Sequence, residues 1–154
     1  MSSRSTLLAC SFAAAAAGVC ITAAPAAADG IDDYTPVNSA DYLLSDPDRP
    51  GTAFFKTPDN RYCAIYWNTG YVGCDAVSMD APPGTNQLRA ATWEAAGFRF
   101  SDQPNFTHPD ARVLPEGHRL TWDSATCGVG YQGTVTCAAG PHGFTLSAVY
   151  SVLH

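Results

Sequence analysis

Cysteines at 63, 74, 127 and 137 and histidines at 108, 118, 142 and 154 are the side chains of this sequence best suited to do chemistry. Four cysteines could hold a zinc ion or form two disulfides. Zinc ligands normally come in pairs two to four residues apart, whereas ten residues separate Cys63 from Cys74 and nine separate Cys127 from Cys137. The spacing therefore points to disulfides. The histidines show none of the short spacings that place two ligands on one element, so no metal site and no cofactor are expected.

His142 raises a different possibility. It precedes the last apolar run and shares that stretch with Ser147, and an Asp123-Ser124 pair lies upstream. Such residues could make a small hydrolase, but no Gly-x-Ser-x-Gly elbow is present and a triad is defined by geometry. The alternative for His142 is a turn residue, so the sequence names no catalytic residue. A hydrolase would need His142 in a pocket with a carboxylate or hydroxyl in reach; a binding module would show an exposed apolar patch.

The elements that position the cysteines follow from a weak internal repeat. Cys63-Ala-Ile65 leads to Gly70-Tyr-Val72-Gly-Cys74, and Cys127-Gly-Val129 leads to Gly133-Thr-Val135-Thr-Cys137. Folded as a hairpin, the second repeat has a three-residue loop, Tyr131-Gln132-Gly133, with glycine where a left-handed residue is needed. Pairing outward from it sets 129 against 135 and Cys127 against Cys137. In the first repeat a four-residue loop, Trp67-Asn68-Thr69-Gly70, sets 65 against 72 and Cys63 against Cys74. Facing positions bring β-carbons to the roughly 4 Å a disulfide needs. Of the three connectivities four cysteines allow, the register favours Cys63–Cys74 with Cys127–Cys137.

The remaining chain from Thr52 is punctuated by Gly, Pro, Asn and Asp between short apolar-aromatic runs, the pattern of many short strands. An all-β or nearly all-β domain is expected, a small twisted sheet, sandwich or barrel with two stapled hairpins. Residues 86–96 are the one helix candidate, with Leu88, Ala91, Ala95 and Ala96 able to share a face. Thr92 and Trp93 suit a strand equally. The run from Phe144 to Leu153 alternates cleanly and predicts one C-terminal strand with Phe144, Leu146, Ala148, Tyr150 and Val152 inward.

Residues 29–51 read as an acidic, proline-containing arm holding six aspartates. The arm could be disordered, although Tyr34, Tyr42, Leu43 and Leu44 could fasten part of it to a domain spanning 52–154. Before it, residues 1–28 have the order of a secretory signal peptide: Arg4, an apolar run from Leu7 to Ala17, and Ala26-Ala27-Ala28 before Asp29. The run is short of the roughly 20 residues that span a bilayer, and Pro25 would end a helix. Leu7-Leu8-Ala9-Cys10 has lipobox-like letters but comes too early, and Cys20 follows Val19 where a small residue is wanted. Soluble export by the Sec route, to the medium or the cell envelope, is expected. Cleavage leaves 126 residues, with seven basic side chains against fourteen acidic ones and a formal charge of −7. That balance argues against nucleic-acid binding and anionic membrane surfaces. An exported chain with an even number of remaining cysteines suits an oxidising compartment.

The segment Phe55-Lys-Thr57-Pro58-Asp-Asn60-Arg-Tyr-Cys63, then Gly73-Cys74-Asp75, resembles the opening of a family of small exported actinobacterial proteins. Its closing part, Leu114-Pro115-Glu116-Gly117, Cys127, Cys137 and Gly140-Pro141-His142-Gly143-Phe144-Thr145-Leu146-Ser147, is similar as well. Thr57 stands for a serine, and Pro141 is inserted between Gly140 and His142. The resemblance implies export, disulfides and a β-rich fold, and it brings no catalytic residues. With Trp67 and Tyr131 at the tips of rigid hairpins, and His142 as a further contact candidate, the sequence favours a non-enzymatic, monomeric binding module for a protein or glycan partner. The alternatives are the His142 hydrolase and a structural envelope component.

Overall fold

The computed structural model describes residues 30–154; the leader expected at 1–28, with Cys10 and Cys20, lies outside them. In chain order the strands are β1 (Thr35–Pro36), β2 (Ala53–Lys56), β3 (Tyr62–Ile65), β4 (Tyr71–Cys74), β5 (Gln87–Ala91), β6 (Glu94–Arg99), β7 (Arg112–Val113), β8 (His118–Trp122), β9 (Ala125–Val129), β10 (Val135–Ala139), β11 (His142–Leu146) and β12 (Ser151–Leu153). No α-helix occurs among the described residues, only short 3₁₀ turns.

Two sheets result, β1-β8-β9-β10-β11-β12 and β6-β5-β4-β3-β2-β7. Each is a five-strand antiparallel meander with one short strand added in parallel at its first member. The added strands are exchanged. β1, which leads the first meander in sequence, pairs with β8 of the second, and β7, which leads the second, pairs with β2 of the first. The internal repeat seen around the cysteines thus extends to the architecture, with β2–β6 corresponding to β8–β12.

The sheets pack face to face, β3 and β4 lying across from β9 and β10. Period-two alternation explains which side chains meet there. Phe55, Ile65, Val72, Leu88, Leu120, Val129, Phe144 and Leu146 all point into this layer and are fully buried. Each large apolar side chain so buried contributes about 1.5–3 kcal/mol relative to exposure. Both disulfides lie in the same layer. Cys63 faces Cys74 and Cys127 faces Cys137 in direct register, with Cα–Cα distances of 4.0 and 4.1 Å.

A second, smaller cluster sits on the outside of the β2–β6 sheet. Phe54, Ala64, Phe106 and Ala111 are buried there beneath the loop joining β6 to β7. This accounts for three consecutive buried residues in β2, Ala53, Phe54 and Phe55: one sheet is covered on both faces. The loop is fixed by Asp75. Its carboxylate accepts hydrogen bonds from the Asn105 and Phe106 amides (3.2 and 2.7 Å), the Thr107 hydroxyl (2.7 Å) and Gln87 Nε2 (2.6 Å). Arg49 donates to the Asn105 and Thr107 carbonyls from the other side.

Three features differ from, or decide between, the expectations set by sequence. Residues 86–96 are not helical but form the β5–β6 hairpin, with Thr92-Trp93 as its turn. Alternation wins because Leu88 and Ala90 enter the core while Arg89 crosses to the outer face. The single C-terminal strand from Phe144 to Leu153 is a correction: it is two strands. The Ser147 hydroxyl donates to the Tyr150 carbonyl (2.9 Å) and accepts from the Tyr150 amide (3.0 Å), turning the chain back. Ala148, Tyr150 and Val152 are therefore exposed rather than buried. Residues 30–51 lie against the domain. Tyr42 enters the main core and donates to the Val113 carbonyl (3.2 Å), Leu43 bridges to Ala53, and Trp122 Nε1 donates to the Gly51 carbonyl (2.8 Å).

A candidate binding groove on the outer face of the second sheet

The two sheets differ on their outer faces, and the difference leaves an opening. On the first, Phe106 lies flat over Gly73, where a β-carbon would strike the ring. It also stacks on Tyr71 and meets Tyr66 edge-on. On the second, Tyr34 takes the comparable place over β9, where a β-carbon on Gly128 would fall 2.6 Å from its ring. Its ring lies against Gly128 and its hydroxyl against Gly130, just past the end of β9. Beyond it, the outer faces of β10 and β11 and the end of β12 remain open as a groove of about 1000 Å³.

Its floor follows from alternation in β10 and β11. Val135 and Cys137 point inward, so Thr134 and Thr136 point out; Phe144 and Leu146 point inward, so Thr145 points out. Thr136 and Thr145 are partners in register and their hydroxyls are 3.2 Å apart. Thr145 Oγ1 lies 3.3 Å from His154 Nε2. The floor is a row of hydroxyls ending in an imidazole, each able to donate or accept.

The rim comes from two turns at the same end of the sheet, β9–β10 and β11–β12. They carry Tyr131, 79% exposed, and Tyr150, 51% exposed. The first turn is held firmly. Gln132 and Gly133 both have positive φ (56° and 70°), as in a type I′ turn, and so Gln132 as well as the expected glycine is left-handed. The Gly133 amide donates to Glu116 Oε1 (3.1 Å), its carbonyl accepts from Arg61 (3.0 Å), and Arg61 pairs with Asp59 (2.6 Å). Among the described residues, Glu116 is the only carboxylate side chain lining the groove, and no lysine or arginine lines it.

The other residues singled out by sequence are distributed as follows. Trp67 occupies the hairpin position equivalent to Tyr131, 55% exposed, on the other sheet and outside the groove. Trp93, 69% exposed, sits on the neighbouring β5–β6 turn, stacked on Tyr71 and donating to the Thr69 carbonyl (3.1 Å). His142 opens β11 half-buried, at the end of the sheet opposite the tyrosine rim. It makes no hydrogen bond to a carboxylate or hydroxyl among the described residues, and Ser124 donates instead to Asp123 (3.1 Å). The constellation a hydrolase needs is therefore not assembled around His142.

Nor do the histidines converge. His108 packs on Phe54, His118 bonds the Glu116 carbonyl, and no group of three potential metal ligands occurs among the described residues. Asn105, although in a glycosylation sequon, has its amide tied to Gln87 and Ser101.

Sequence reasoning finds Tyr131 but misses Tyr150 and Thr136, and it names His154 only as a potential metal ligand. The signal for them is the outward half of the alternation in the last two hairpins. Comparison with protein-family models, with curated proteins and with solved structures finds no match, so the functional reading rests on this geometry.

Proposed function

We propose that this chain is an exported, non-enzymatic binding module of the cell envelope or medium, and that the outer groove of the β8–β12 sheet is its contact surface. The observation that carries the reading is the open groove itself, with Tyr131 and Tyr150 at its rim and a hydroxyl floor set in a sheet stapled by Cys127–Cys137. Ligand sites are concave and furnished with a few convergent polar groups, and both features support this reading. Export by the Sec route rests on the leader-like residues 1–28 and agrees with two disulfides. The resemblance to small exported actinobacterial proteins points the same way.

The test is retention on isolated envelope from the producing cells. Wild-type protein should bind saturably, and Thr136→Arg and Tyr150→Ala should each reduce binding at least tenfold. Both positions lie outside the core, and unreduced mass spectra should show both disulfides intact. Equal retention of wild type and both variants would overturn the groove as the contact surface. Native mass spectrometry of the secreted protein should give a monomer beginning at Asp29. An uncleaved chain would overturn the export assignment.

A further inference from the structure

The lining chemistry narrows the class of ligand, and we infer that the groove takes a neutral oligosaccharide chain. This inference rests on the groove being the contact surface. Three properties of the site lead to it. First, among the described residues the groove is lined by no lysine or arginine and by one carboxylate side chain, Glu116, which accepts from the Gly133 amide. A phosphate- or sulfate-bearing polymer would meet no lysine or arginine side chain among the described lining residues, and the net acidic chain would repel it. A basic peptide would find a single carboxylate side chain among the described lining residues, and that one already accepts from the Gly133 amide. The complementary ligand is uncharged.

Second, the floor presents hydroxyls and an imidazole rather than an open backbone edge. Thr136, Thr145 and His154 are linked side chain to side chain at 3.2 and 3.3 Å. Each threonine hydroxyl has one proton and two lone pairs, so the row keeps unused capacity of both kinds towards the groove. Sugar hydroxyls have the same dual character and can join such a row in either sense. A peptide strand would instead seek the unpaired N–H and C=O groups of a sheet edge. β10 and β11, which form the floor, are paired on both sides, and the unpaired edge of the sheet lies beyond them on the outer side of β12.

Third, the rim supplies what the C–H face of a pyranose requires. Tyr131 and Tyr150 are exposed aromatic rings on two turns flanking the same end of the floor. An aromatic ring offers a flat apolar face with a polar tip and loses little entropy on binding. At about 1000 Å³ the groove is at the upper limit of ordinary small-molecule sites, about 300–1,000 Å³. It is open rather than enclosed, which suits a chain of several rings better than a single sugar.

The experiment uses the full disulfide-bonded protein, ¹⁵N-labelled and titrated with hexaoses of α-1,4-glucose, β-1,4-glucose, β-1,4-mannose and β-1,4-N-acetylglucosamine. Dextran sulfate serves as the anionic probe. At least one hexaose should shift the amides of Thr134, Thr136 and Thr145. Tyr131→Ala and Tyr150→Ala should each weaken it about tenfold or more, and Trp67→Ala, at the equivalent tip of the other sheet, should leave it unchanged. The inference is overturned if no hexaose shifts these amides, if only dextran sulfate does, or if Trp67→Ala weakens binding as much as the tyrosine variants. A displayed random-peptide library separates the two levels. Peptides whose binding is lost in Tyr150→Ala, with no hexaose bound, would overturn the oligosaccharide and keep the groove as a contact surface. Failure of both probes at these amides would overturn the two readings together.

Discussion

Phe106 is fully buried although it lies in a long polar loop, and it is held there by its neighbours on both sides. Asp75 fixes its backbone, Gly73 makes room for its ring, and Tyr71 and Tyr66 flank it. Removing the ring should cost about 3–5 kcal/mol, read from urea unfolding. Gly73→Ala should cost about 1–3 kcal/mol, because the methyl group must displace the ring. In a Phe106→Ala background the same methyl group enters a cavity, so its cost should vanish or change sign. Additive losses would mean that Gly73 matters to the strand alone. The same loop is braced by Arg49, whose guanidinium grips Asp46 at 2.6 Å and lies over the Phe54 ring. Burial pushes the Asp46 carboxyl up, but the Arg49 contacts and the Asp48 and Arg49 amides outweigh it and hold it below the usual range. A depressed folded-state pKa gives stability that is present above the unfolded value, about 3.9, and lost as pH falls through the folded one. Asp46→Asn should therefore lower Tm at pH 7 and approach the wild-type Tm in acid below that window. A constant difference across pH would assign the effect to packing.

The hairpins show at the scale of elements what residue spacing can reveal. Cysteine, valine and glycine recur at nearly the same offsets in both, and a strand's period of two converts those offsets into register, so both disulfides are legible in the spacing alone. Each closes a short loop, with sequence separations of 11 and 10. Replacing either pair by alanine should cost about 3 kcal/mol on chain-entropy grounds, measured by urea unfolding as a lower midpoint. An effect near zero would mean that the buried packing of the two strands alone sets their register. What spacing does not reveal is hydrogen bonding by small polar side chains. Ser147 breaks an alternation that otherwise reads as one strand, and this single turn moves Tyr150 from an expected core position to the rim of the groove. Tyr131 is legible because it closely precedes a glycine between stapled strands. Thr136 and Thr145 are legible only as outward-facing, since nothing local records which sheet face is left uncovered.

That uncovered face is a property of the whole molecule, set by how the two meanders share their connections. Each sheet buries its inner face against the other, and the exchange of β1 and β7 ties them further. β1 pairs with β8, with the Thr35 and Val37 amides donating to the Gly117 and Arg119 carbonyls, while β7 lies beside β2 with the Leu114 amide donating to the Lys56 carbonyl. The exchanged strands also cap the β8 and β2 edges, which would otherwise offer open backbone for pairing with another chain. One loop, the β6–β7 connection, then serves only the first sheet, and the second keeps its groove. It follows that the halves are not independent folding units, despite their repeated architecture. A chain cut after Pro109, in an exposed stretch of that connection, gives one fragment with β1–β6 and another with β7–β12. Alone, each would expose the apolar face of a five-strand meander and lack the short strand that caps its first member. Each fragment should therefore be unfolded or aggregated by circular dichroism. Mixed in equal amounts with their disulfides formed, they should recover a 1:1 complex with the near-ultraviolet signal of the intact protein. If either fragment folds as a stable monomer, the exchanged strands and the shared core are not what holds the molecule together.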